Sequence, residues 1–335
     1  MINERRSRWD SLHQTDGGIN RLFIIDYDET PLEEPEVSPQ NRRARVDWAL
    51  ASYERQIRRC EWLKDDSLPC LWVKTGTEIF AEALGCEVYR PTGTMPSAIP
   101  MITDPEEVES VKVPDISESS LALLFDIADE LRSKAGESAL LRLVDIQSPM
   151  DIAALVWDKN HFFPAMISHP EAVKALAQKA YLLLTSFLDN WFERYGPEFI
   201  AHYPDYYMPY GITVSEDEIG SVSPAYFNEF FLPWLDALSD RYGMIGVHCC
   251  ATARHQWENL KSIQNISILN LVRDAEETKE AYDFFADSLI QIHHWCGDGD
   301  PSRWSDALPE GSKVVLRAGA STRDEALRLS EVFFG

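Results

Sequence analysis

His248, Cys249 and Cys250 close a short apolar run, 244–247, so an imidazole and two thiols stand where a buried strand should end. These are soft, metal-binding side chains. Apolar runs of roughly four to eight residues read as strands, and parallel α/β architectures gather ligands just beyond strand carboxyl ends. A second cluster is the acidic pair Asp217 and Glu218, which precedes Gly220 and the helix start at Ser223-Pro224. On such a strand-to-helix loop either carboxylate could serve as a ligand or a general acid. Anions there also gain about 0.3–1 kcal/mol from the helix dipole alone, a role that suits Glu218 better than Asp217.

Aromatic side chains crowd the stretch 202–211, with Tyr203, Tyr206, Tyr207 and Tyr210, while Trp72, Trp157 and Trp295 lie near other strand ends or their loops. Aromatic walls suit an apolar or aromatic ligand and can enclose a methylammonium group by cation–π attraction. Core and rim packing is the alternative for these side chains, and the one favoured for most of the tryptophans. Tyr206, Tyr207, Tyr210 and Trp295 are therefore substrate-binding candidates. Asp145 and Gln147 join them, because polar side chains are unusual in the core layer of a strand. His293, on a late strand, reads as a satisfied structural histidine.

Something must hold these groups together, and the chain is long enough to do so. Its 335 residues, 45% hydrophobic, can bury a barrel-sized core as one domain. Eight strand candidates fall at 22–27, 70–74, 141–147, 199–203 (extending toward 212–214), 244–248, 266–271, 289–293 and 313–316. Amphipathic stretches lie between them, notably 170–195, with apolar residues at helical spacing, and 224–242. Pro170 suits an early helical position, and Gly196-Pro197 stops the first of these helices. Eight alternating units predict an α/β fold, a (β/α)8 TIM barrel with an extended N-terminal segment and rim loops. The Pro-rich region 90–119 reads as a lid or rim loop.

Charge narrows the partners. With 31 basic against 55 acidic residues the net charge is −24, which disfavours nucleic acid and anionic membrane surfaces and repels a highly anionic substrate. The six cysteines read as reduced thiols in a large chain whose first residues lack the apolar core of a signal peptide, which points to the cytoplasm. No apolar stretch approaches the roughly 20 residues that span a bilayer.

Four segments in order carry a resemblance: Glu78-Ile-Phe-Ala-Glu-Ala-Leu-Gly-Cys86, Gln147-Ser-Pro-Met-Asp-Ile-Ala153, Asp217-Glu-Ile-Gly-Ser-Val-Ser-Pro-Ala-Tyr-Phe227 and Val247-His-Cys-Cys250. Their order and spacing resemble the uroporphyrinogen decarboxylase superfamily, which includes corrinoid-linked methyltransferases. The resemblance implies a TIM barrel with its site at the strand carboxyl ends. The true decarboxylases are less similar. They bind a polycarboxylate through an arginine-rich amino-terminal segment, whereas here 26–31 reads Asp-Tyr-Asp-Glu-Thr-Pro, and their catalytic aspartate falls near Gly76.

The methyltransferase branch is closer. It holds zinc through a His-x-Cys pair at the end of the fifth strand, matching His248 and Cys250. Side-chain alternation agrees, since residues two apart share a face while Cys249 turns toward the helical layer. The branch takes its third ligand from a cysteine in the last strand's loop, where this chain has Ala320. Cys296 or His294, after the seventh strand, could replace it, with Asp217 or Glu218 as an oxygen donor.

The expected activity is therefore a corrinoid-dependent methyl transfer between a small methylated substrate, an ether or amine, and a separate corrinoid protein, with zinc assisting. Two other readings stay open. One is a metal-independent decarboxylase or lyase using Asp217, His248 and Arg317. The other is a noncatalytic ligand-binding protein, consistent with Ala320.

Overall fold

The computed structural model describes residues 1–14, 18–293 and 301–335, the side chain of Ser302 excepted. Eight strands form the barrel: β1 Arg21–Asp26, β2 Cys70–Trp72, β3 Leu140–Arg142, β4 Ile212–Ser215, β5 Ile245–Cys249, β6 Ile266–Leu271, β7 Ile290–Gln291 and β8 Lys313–Gly319. The order β1-β8-β7-β6-β5-β4 runs through one sheet, parallel throughout. β2 and β3 pair in a second.

The two sheets meet at two seams. At one, the chain beyond β3 bridges β4: Gln147 pairs with Ser215, Ser215 N donates to Ile146 O at 2.8 Å, and Ser148 N donates to Ser215 O at 2.9 Å. At the other, between β1 and β2, side chains supplement a backbone bond from Asp66 N to Phe23 O at 2.8 Å. Asp66 accepts the Phe23 amide at 2.8 Å, Asp65 accepts the Ile25 amide at 3.1 Å, and the Gln56 amide exchanges two hydrogen bonds with the Cys70 backbone. Backbone groups at an open strand edge need partners, and these carboxylates and this amide supply them.

The expected amino-terminal segment is a 12-residue helix, Ile2–His13, which braces that second seam. Arg5 is ion-paired with Asp65, both buried, and the Trp9 indole donates to Asp66 O at 2.8 Å. The fourth strand candidate is split. Phe199–Ile200 pairs with β3 and with Tyr207–Met208 before the chain returns as β4.

Helix Pro170–Tyr195 forms as its apolar spacing requires, with Pro170 at its start and Gly196 (φ +87°) at its end. Stretch 224–242 is not one regular helix. A π-helical turn, Phe227–Phe231, widens it just ahead of Pro233, whose ring and missing N–H exclude the normal bond to residue 229. Region 90–119 holds the second strand of a hairpin, Ser97–Ile99, and the 3-10 turns Pro105–Ser110 and Ile116–Glu118, anchored where Lys179 donates to the carbonyls of Val108 and Val111 at 2.6 Å. Among the described residues, no helix is long and apolar enough to cross a membrane.

The side-chain seam has a measurable consequence. Asp65→Ala leaves the buried Arg5 guanidinium without its counter-charge and the Ile25 amide without its acceptor, so urea denaturation should show a loss of about 3 kcal/mol or more. A loss under about 1 kcal/mol would mean that the carboxylate does not hold the barrel closed.

Candidate functional site

A cavity of about 760 Å³ opens at the carboxyl ends of the strands, with Asp217, His248, Asp145 and Gln147 in its wall. β5 places His248 in that wall and directs Cys249 into full burial, while Cys250, the next residue on the His248 face, is exposed. The alternation expected along this strand therefore holds.

Asp217 joins the pair. Its carboxylate accepts the Cys250 amide at 2.6 Å through one oxygen, and its other oxygen lies 3.2 Å from the Cys250 sulfur. One donor atom from each of Asp217, His248 and Cys250 lies within 4.8 Å of the others. Carboxylate, imidazole and thiol could together supply three ligands to a metal ion, the number that a catalytic zinc site takes from its protein. Partial burial and the Asp217 carboxylate push the Cys250 thiol up to about 11. A bound cation offsets that repulsion and stabilises the thiolate.

The imidazole is oriented for the same task. Asn270 on β6 pairs in register with His248, donates from Nδ2 to the Ile292 carbonyl, and so presents Oδ1 to Nδ1 of His248 at 2.5 Å. His248 therefore carries its proton on Nδ1 and leaves the Nε2 lone pair for a ligand. Burial lowers its pKa, which keeps the ring neutral.

Asp217 is held through its backbone. Asp151 is buried at the start of helix Pro149–Val156, and its carboxylate accepts the amides of Asp217 at 2.7 Å and Glu218 at 3.1 Å. Burial pushes the Asp151 carboxyl up to about 7 and the fully buried Glu216 well above its ordinary value. Glu216 adjoins the Asp151 carboxyl, so a proton on Glu216 relieves the cost of burying two acids together.

The other expected residues divide. Glu218 lies in the cavity wall but is ion-paired with Lys159. Asp145 and Gln147 share the cavity, with the Gln147 amide donating to Asp145 at 2.6 Å. Tyr206 and Tyr207 instead line a second cavity of about 520 Å³, and the Tyr207 hydroxyl donates to Glu198 at 2.9 Å. Tyr210 lines neither cavity and packs on Gly243. Their neighbour Tyr203 does reach the first cavity, its ring edge-on to His248 at 4.8 Å. Arg317 sits in the second cavity, bound to Asp26 by two hydrogen bonds, and so does not join Asp217 and His248 around one substrate carboxylate. His293 is buried, accepts the Leu271 amide and contacts Gln291, as a structural histidine would. His294, Trp295 and Cys296 lie outside the described residues.

Sequence reasoning missed Asn270, Asp151 and His202. A polar residue among the apolar ones of β6 was the available signal for Asn270. His202 is buried against Ser215, its ring nitrogen 2.9 Å from that hydroxyl, and burial holds its pKa well below the ordinary value.

Fold and cavity together define a (β/α)8 barrel that opens a cavity at its strand carboxyl ends. Residues 73–291 match the model of the uroporphyrinogen decarboxylase (URO-D) family, and the chain belongs to that family. Among 26 solved chains that match the fold is a methyltransferase from Methanosarcina mazei, with a TM-score of 0.70, 13% identity, and 99% of each chain covered. No curated protein matches the sequence.

The orienting role of Asn270 can be measured by zinc titration against a competing chelator. Asn270→Ala should weaken binding by about 10- to 100-fold. Cys249→Ala should leave it unchanged, and Cys250→Ala should abolish it. Equal loss in both cysteine variants would contradict the ligand set.

Proposed function

We propose that this protein moves a methyl group between a small methylated compound, held in the 760 Å³ cavity, and a corrinoid carried by a separate protein. The observation that carries the reading is the convergence of Asp217, His248 and Cys250 on one point of that cavity's wall. The likeness in fold to a methyltransferase over 99% of both chains supports it. So does the URO-D membership that the chain's own residues establish.

In this reading Asp217, His248 and Cys250 would hold a zinc ion, whose Lewis acidity would be supplied to the heteroatom that gives up the methyl group. The chain's residues do the positioning. Asn270 fixes the His248 tautomer, Asp151 fixes the Asp217 backbone, and the Tyr203 ring packs edge-on to the imidazole. Burial of these supports keeps the ligands preorganised, so little reorganisation accompanies the reaction. A decarboxylase of a small acid needs an uncommitted cation beside the site, and Arg142 is already paired with Asp205 at 3.1 Å.

The test supplies zinc-loaded protein with reduced cobalamin and a panel of methyl ethers and methylamines, and follows methylcobalamin by absorbance. Wild type should transfer from at least one class, and His248→Ala should lower the rate by about 100-fold or more, several kcal/mol of lost stabilisation. Equal rates in the two proteins would contradict the metal-assisted reading. Carbon dioxide release from a candidate acid, with no methyl transfer, would replace it.

A further inference from the structure

The charges around the first cavity are unequally satisfied. Among the described residues three cationic side chains line it, and each is ion-paired with a carboxylate: Lys74 with Glu34, Arg142 with Asp205 and Lys159 with Glu218. The ring of Trp72 is also in use, with the Arg142 guanidinium carbon 4.0 Å from its centroid. Asp145 has no such partner. Among the described residues its side chain accepts one hydrogen bond, from the Gln147 amide at 2.6 Å, the ring of His202 lies 3.6 Å away, and the Arg142 guanidinium, itself paired with Asp205, acts on it only without direct contact. Burial keeps that histidine neutral. Asp145 is nevertheless partly exposed to the cavity, and its neighbours fix its position.

A zinc ion does not cancel this charge. Two positive charges on a bound metal would balance one Asp217 carboxylate and one Cys250 thiolate, so Asp145 would stay without an ion-pair partner beside the site. An uncompensated carboxylate in a partly desolvated cavity attracts a cation more strongly than the same group in water does.

We infer that the substrate is a cation, a methylated ammonium compound whose charge lies against Asp145. This inference rests on the methyl-transfer reading for its chemistry but not for its binding. An ammonium nitrogen also suits a site whose second acid, Glu218, is committed to Lys159. When the corrinoid nucleophile supplies the electron pair for the new bond to the methyl carbon, the carbon–nitrogen pair stays on nitrogen. The amine then leaves neutral, without a proton from the protein. A neutral ether would need that proton.

The experiment measures binding alone, by calorimetry on full-length protein with and without zinc. It uses three probes of one shape: choline, its neutral carbon isostere 3,3-dimethylbutan-1-ol, and the anion 3,3-dimethylbutanoate. Choline should bind at least about tenfold more tightly than the isostere. The isosteric variant Asp145→Asn should erase that difference and leave the neutral alcohol's affinity unchanged. Equal affinities, absent binding of all three, or preference for the anion would overturn the inference, and the wild-type comparison decides this even if the variant fails to fold. The outcomes separate the two readings. Choline preference without methyl transfer from any compound supports the cation site and removes the methyltransferase. Transfer from a neutral ether without choline preference does the reverse.

Discussion

The amide of Asn270 has a single orientation open to it, because its Nδ2 donates to the Ile292 carbonyl and only Oδ1 remains to meet His248. That constraint runs across the sheet. Asn270 stands opposite His248 in the register of β5 and β6, and Ile292 follows directly on β7, so the order of strands in the barrel sets a proton on one ring nitrogen. The free nitrogen then faces the cavity with a neutral ring behind it. A surface histidine could turn or protonate. This one cannot readily do either, since it is buried and pinned.

A second chain of constraints reaches the same point from the opposite side. Asp151, at the first turn of its helix, takes the amides of Asp217 and Glu218 in the loop after β4 and so directs the Asp217 carboxylate toward Cys250. Buried carboxyls at Asp151 and Glu216 have an electrostatic cost, which a fold retains where the geometry they enforce is needed. The cavity next to them is separated from a second one by a shared wall of Glu34, Trp72 and Arg142. That wall explains how one tyrosine-rich segment serves two spaces. Tyr203 faces one, and Tyr206 and Tyr207 the other.

Much of this was legible in the sequence, because local periodicity reports local structure. The apolar run ending at His248, the facing of His248 and Cys250, and the helix 170–195 follow from alternation and helical spacing within a few residues. Asp217 was visible only as one of two candidate oxygen donors, because its selection depends on Asp151, 66 residues away. Asn270 and His202 act across strands, and no local pattern announces such a pairing. The tyrosine cluster was legible as composition but not as geometry, since the turn between Phe199–Ile200 and Tyr207–Met208 sends its members in different directions. The break at Phe227–Phe231 arises from Pro233 inside an otherwise helical pattern.

The ligand set at the cavity wall is the claim on which the account stands. Zinc K-edge X-ray absorption on the metal-loaded protein tests it most directly, because sulfur at about 2.3 Å is distinct from nitrogen and oxygen at about 2.0–2.2 Å. One sulfur per zinc, with the remaining shell of nitrogen and oxygen, is the expected result for Asp217, His248 and Cys250. Two sulfurs would bring in a further cysteine in place of Asp217, and no zinc, or a shell without sulfur, would contradict the site.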